Sequence, residues 1–176
     1  MTSRIVYTIG HSNRSLEEFL DIIKKYRIEV VVDVRRWPKS RKYPRFNRQT
    51  LEEELERHGI TYVWMGDTLG GYRRPSQEDL KPKCFKSPGF QAYARYLTTS
   101  PQARKALEDL ASIVESRLVA VMCAERFPWR CHRKLISDWL TVRGFTVLHI
   151  IDTGHLVEHR LTRCARVVNG ELTYIF

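Results

Sequence analysis

The 176 residues suffice for one domain with a buried core, and 43% hydrophobic with 28% charged residues is a globular composition. No apolar run is long enough to span a bilayer and no basic-then-apolar signal segment opens the chain, which argues against a membrane protein and for a cytoplasmic one. The formal net charge of +10 points to an anionic partner, and the four cysteines, at 84, 123, 131 and 164, lack paired CxxC spacing, so their thiols are expected mostly reduced.

In chain order, RIVYTIG (4–10) is the first of five short apolar runs that read as strands covered on both faces. It leads into Gly10-His11-Ser12-Asn13. SLEEFLDIIKKY (15–26) reads as a helix: Ser15 and Glu18 have capping-box spacing, and Leu16, Phe19, Leu20 and Ile23 share one face. EVVVDV (29–34) is the second strand and ends beside Asp33. The next stretch, RRWPKSRKYPRFNR (35–48), holds seven Lys or Arg and no carboxylate, so it carries +7 of the net +10. There Arg35, Arg36, Lys39, Arg41, Lys42 and Arg45 alternate with Trp37, Tyr43 and Phe46. Cations attract phosphates and aromatic faces stack on bases, which makes this segment a candidate nucleic-acid contact. A solvated basic loop pinned by its aromatics is the plainer alternative.

TLEEELERHG (50–59) repeats the capping device with Thr50 and Glu53 and stops at Gly59. ITYVWM (60–65) is the third strand. From 66 to 88 the chain shows Gly66, Gly70, Gly71, Pro75, Pro82 and Pro88 without periodicity, and reads either as a lid presenting Tyr72, Arg73 and Arg74 or as an irregular excursion. SPQARKALEDLASIVE (100–115) opens with Ser100-Pro101, a good cap and first turn. LVAVMC (118–123) and FTVLHII (145–151) are strands, separated by the helical CHRKLISDWLTVRG (131–144). ARVVNGELTYI (165–175) carries Asn169-Gly170 between two short apolar runs, a hairpin signal. The expected fold is therefore α/β: a mainly parallel sheet with helices on both faces over residues 1–160, and a C-terminal β-hairpin over 161–176.

In an open parallel sheet, ligands bind beyond the carboxyl ends of the strands. The chemistry of this chain gathers at those ends: His11 and Ser12 after the first strand, Asp33 and Arg35 after the second, His149 and Asp152 on the last. The densest segment is VMCAERFPWRCHRKLI (121–136), with Cys123, Glu125, Cys131, His132 and Arg133 in one strand-to-helix turn. A helix N-terminus with His132 and arginines beside it favours a thiolate at Cys131. Glu125 is a candidate acid or base, or an arginine's ion-pair partner.

Several known patterns fail on spacing. Six residues separate Cys123 from Arg130, where a cysteine phosphatase loop needs about five, and Glu125 would repel a phosphate. The zinc deaminase pattern is broken because its halves lie too close together and Pro128 replaces a cysteine. HLVEH (155–159) fits H-x-x-E-H, but the tail behind it reads as a hairpin, so a chance match is the better account. Cys123, Cys131, His132 and His11 can all ligate a metal, yet no pair has zinc-like spacing. A metal is possible and not favoured.

TIGHSNRSLEEF, DVRRWPKSRKYPRFN, LGGYRR, MCAERFPWRCHR and HIIDTGHLVEH together resemble the domain of unknown function 488 family (DUF488), collinearly from Thr8 to His159. The family's pattern falls on Gly10, His11, Ser12, Asp33, Arg35, Pro38, Ser40, Gly70, Gly71 and Arg73. It continues on Cys123, Glu125, Pro128, Cys131, His132, Arg133, His149 and His159. The resemblance implies an α/β domain with one polar pocket and brings no established reaction. It favours His159 over His155 as the site residue of the tail.

Two functions follow as expectations. One is a cysteine-dependent enzyme: Cys131 or Cys123 as nucleophile, Glu125, His132 or His11 handling protons, and Ser12, Asp33, Arg35, Arg73, Arg133, His149 and His159 around an anionic, nucleotide-like or nucleic-acid substrate. The other is a non-catalytic nucleic-acid-binding module built on 35–48. A redox-sensing thiol pair is a third option, and it requires Cys123 and Cys131 to touch.

Overall fold

The computed structural model describes residues 4–71 and 85–175. Arg73, its neighbours Tyr72 and Arg74, and most of the expected lid lie outside the described residues. The chain runs β1 (Ile5–Gly10), α1 (Leu16–Lys25), β2 (Val30–Asp33), α2 (Arg48–Arg57), β3 (Thr61–Trp64), α3 (Gly66–Leu69), α4 (Pro88–Thr99), α5 (Pro101–Ser116), β4 (Val119–Cys123), α6 (Arg133–Val142), β5 (Thr146–Asp152), β6 (His155–Glu158), β7 (Ala165–Val168) and β8 (Glu171–Tyr174). Short 3₁₀ turns at Pro44–Phe46 and Pro128–Arg130 precede α2 and α6.

Among the described residues the main sheet has six strands in the order β3-β2-β4-β1-β5-β6. The first five are parallel and β6 is antiparallel to β5. Alternate side chains enter two cores. Ile9, Val31 and Met122 meet α1 and α2 on one face, while Val6, Val32, Val121 and Val147 meet α4, α5 and α6 on the other. All of β2 and β4 is buried, which is why those strands are apolar without alternation. The hairpin β7–β8 is a separate two-stranded sheet, and Ala165, Leu172 and Tyr174 place its inner side in the α6 core. No helix among the described residues is long and apolar enough to cross a membrane.

The local readings fare unevenly. Ser15 caps α1 by accepting from the Glu18 N–H at 3.0 Å, and Ser100 caps α5 in the same way. The second helix begins earlier than its Thr50 signal, at Arg48; Asn47 holds the cap position, but its side chain instead accepts from the Ser40 N–H at 2.7 Å and closes the basic loop. The stretch from Gly66 is less irregular than its glycines and prolines suggest, because 66–69 coils into α3. Helix α4 then starts at Pro88, capped by Ser87. Its Ser87-Pro88 opening duplicates Ser100-Pro101, a signal that marks the helix. HLVEH is edge strand β6, so His155 and Glu158 are not on a helical face and the metalloprotease geometry is absent.

Candidate active site

The connections place the site. Helix α1 leaves the end of β1 toward one face of the sheet, and α6 leaves the neighbouring end of β4 toward the other. A crevice opens where adjacent strands send their chains in opposite directions. Gly10 pairs with Cys123 at this point. The turn after β4 crosses Gly10 so closely that a Cβ there would lie 1.8 Å from the Glu125 carbonyl oxygen. The His11 and Ser12 N–H groups extend the ladder to the Cys123 and Ala124 carbonyls, both at 2.9 Å.

Beyond these ends lies a cavity of about 380 Å³ lined by Cys123, Cys131, His132, Glu125, Arg35 and Arg130, among others. The two sulfurs are free thiols 2.8 Å apart. Cys131 Sγ also faces His132 Nδ1 at 3.4 Å and the Arg133 N–H, in the first turn of α6, at 3.4 Å. His132 Nε2 donates to the Val34 carbonyl at 3.0 Å, which leaves Nδ1 to exchange a proton with the sulfur. Gly71 makes room for this imidazole: a Cβ there would meet Nδ1 at 2.5 Å.

The electrostatics divide the sulfurs. Burial by itself pushes the Cys131 thiol up. The hydrogen bond from Cys123, the positive His132 and the Arg133 guanidinium outweigh it and hold Cys131 well below the usual thiol range. Burial and the hydrogen bond it gives Cys131 raise Cys123 well above that range. Its sulfur also lies 3.7 Å from the Glu125 carbonyl oxygen. The two sulfurs are thus pushed in opposite directions, Cys131 down and Cys123 up.

The remaining candidates take other positions. Glu125 lines the cavity, but its carboxylate accepts from the Phe127 N–H at 3.3 Å and braces the turn. Arg133 is 1% exposed; Nη2 donates to the Glu125 and Arg126 carbonyls, while Nε and Nη1 have no acceptor among the described residues. Arg35 is bound through Nε and Nη2 to Asp33, at 2.9 and 2.8 Å, and donates to the Phe46 carbonyl. Tyr62 supplies a further hydrogen bond to Asp33 at 2.5 Å. His11 donates from Nδ1 to the Ser12 carbonyl and accepts from Arg35 at Nε2, so both ring nitrogens are engaged. Burial, with the Arg35 charge, lowers its pKa to about 4. Ser12 adopts a positive φ of 50° and lies outside that cavity's lining.

His149 and His159 line a different cavity of about 580 Å³ with Lys134, Arg160 and Thr162. The histidines form a buried chain: Thr8 Oγ1 to His149 Nδ1 at 2.6 Å, His149 Nε2 to His159 Nδ1 at 2.9 Å, His159 Nε2 to Asp138 at 2.8 Å. Asp138 also accepts from the Thr162 N–H and hydroxyl and from the Tyr174 hydroxyl. Asp138 is not marked by the sequence reading, and Thr8 appears there only as the start of the resemblance; a carboxylate within LISDWL, three residues after Leu135 on an apolar helix face, is the signal that marks Asp138.

In the basic segment, Arg45 donates to the Arg14 and Asn13 carbonyls, Phe46 is buried, and Lys42 and Arg36 lie over Tyr43 and Trp37. Lys39 and Arg41 are exposed, and Trp37 is 63% exposed. Arg14, another buried residue that sequence alone does not mark, ties the Gly10 and Ile151 carbonyls together. Cys164 is disulfide-bonded, a departure from reduced thiols that the absence of paired spacing did not foretell. Among the described residues no group of three or more His, Cys, Asp or Glu is arranged to hold a metal.

Comparison with curated proteins and with solved structures returned no match. The pattern of the family described as domain of unknown function DUF488 matches residues 15–140, which include Cys123, Cys131, His132, Arg133 and the Asp33–Arg35 pair, and the chain belongs to that family.

Proposed function

We propose that the chain is a cysteine-dependent enzyme with Cys131 as nucleophile and His132 as its proton acceptor and donor. The observation that carries this reading is the surroundings of one sulfur: Cys131 Sγ has a thiol at 2.8 Å, an imidazole nitrogen at 3.4 Å and a helix N-terminal N–H at 3.4 Å. His132 Nδ1 takes the Cys131 proton, the thiolate attacks an electrophilic centre, and the imidazolium returns the proton to the leaving group. Arg36 and Arg130 at the cavity, with the neighbouring basic segment, favour an anionic, nucleotide-like substrate.

Site-resolved alkylation against pH tests the nucleophile. Cys131 is expected to react with a midpoint below about 7, ahead of Cys123. A midpoint near the ordinary thiol value of about 8.5 removes Cys131 from this role.

A nucleic-acid-binding module without chemistry is the second reading. Exposed Trp37, Lys39 and Arg41 on one loop favour it. It differs from the first in being indifferent to Cys131→Ser.

A further inference from the structure

Two thiols in contact exceed what a nucleophile requires, because one thiolate with one imidazole suffices for addition to an electrophile. Cys123 comes from the end of a central strand and Cys131 from the turn before α6, eight positions later; they meet because the turn folds back over Gly10. Both side chains line the same cavity of about 380 Å³, yet retain 2% and 6% exposure. Sulfurs so little exposed favour a small oxidant over a disulfide on a folded partner.

We propose that Cys123 is the resolving thiol of Cys131, and that the pair reduces small hydroperoxides at the expense of a low-molecular-weight thiol. This rests on Cys131 as nucleophile but not on the anionic substrate. The Cys131 thiolate attacks the terminal oxygen of ROOH; an S–O bond forms, the O–O bond breaks, and RO⁻ leaves. Oxygen is reduced and sulfur oxidised by two electrons, giving Cys131–SOH. The His132 imidazolium gives its Nδ1 proton to RO⁻, releasing ROH. Cys123 sulfur then attacks the sulfenic sulfur, and its proton leaves with the hydroxide as water. The sum is thiolate, thiol, imidazolium and ROOH converted to disulfide, imidazole, ROH and water. Two molecules of external thiol reduce the bridge through a mixed disulfide, become oxidised to their own disulfide, and restore the thiolate–imidazolium pair.

The contrast between the sulfurs suits these roles. The attacking sulfur faces Nδ1 and a helix N–H, whereas the resolving sulfur faces Cys131 itself and the Glu125 carbonyl.

The test treats the full-length protein with hydrogen peroxide and maps the products by mass spectrometry. The wild type is expected to lose two hydrogens and yield a linked peptide pair containing Cys123 and Cys131. Cys123→Ser should stop at a sulfenic acid on Cys131, trapped by a cyclic diketone, and slow peroxide turnover with monothiol by about tenfold or more. Cys131→Ser should form neither product. If Cys131 alkylates at low pH but peroxide produces no Cys123–Cys131 bridge in the wild type, the redox proposal is overturned and the nucleophile reading stands. If Cys131 fails to alkylate as a thiolate, both fall.

Discussion

The Val34 carbonyl accepts from His132 Nε2, and this one bond decides which ring nitrogen faces Cys131. Replacing His132 with Gln removes a cation beside the sulfur, so the Cys131 thiol pKa rises and its thiolate fraction at neutral pH falls. Alkylation of Cys131 at pH 7 should slow by about tenfold, one unit of pKa; an unchanged rate would show that His132 does not sustain the thiolate. The cluster of Cys123, Cys131, His132 and Arg133 is legible in the sequence as a crowded turn. The contact between its sulfurs is not, since eight positions of spacing are compatible with touching or with facing apart until the backbone over Gly10 is known. Arg35 and Arg45 show the same limit: their charge is legible, but their partners, Asp33 and the Asn13 and Arg14 carbonyls, depend on where the loop lands.

Five segments meet at the histidine chain: β1 through Thr8, β5 through His149, the turn after β6 through His159, α6 through Asp138 and β8 through Tyr174. Burial first, then the His159 and Arg133 charges, hold the His149 pKa down at about 3. The unfolded value is near 6.5. Above pH 6.5 both states are neutral and stability is complete. As pH falls below 6.5 the unfolded chain binds a proton that the folded one refuses, so stability is lost down to the folded pKa. At pH 5 the loss is about 2 kcal/mol for this histidine, and His11, at about 4, acts in the same direction. Urea unfolding midpoints should fall between pH 6.5 and 5, and His149→Gln should flatten that slope. A midpoint that does not move over this range would contradict a buried His149 that refuses the proton. Helix α4 and strand β6 show the limits of pattern at this scale. The first hides behind a run of glycines and prolines, and the second is too short and exposed for periodicity to declare it.

Over the whole molecule the charge is uneven, with +7 of the net +10 on residues 35–48. If that segment binds a polyanion, affinity for single-stranded oligonucleotide should fall steeply with salt, and charge reversal at Lys39 and Arg41 should weaken binding and reduce the salt slope by about one unit or more. Binding that ignores both salt and these residues would leave the segment as a pinned basic loop, the role already served by Phe46 and Arg45.

The alternation of strands and helices, the two-faced burial of the sheet, the hairpin at Asn169-Gly170 and the crowded turn after β4 were all determined by the sequence, because each rests on near neighbours: side-chain period, caps and turn residues. Only the tertiary structure decided that His149 and His159 leave the cysteine pocket for one of their own, that His11 is occupied by Arg35, and that the Cys123 and Cys131 sulfurs touch. Those outcomes depend on strand order and on the close crossing at Gly10, which set distances between groups far apart in the chain, and proton affinity follows distance and burial rather than sequence spacing.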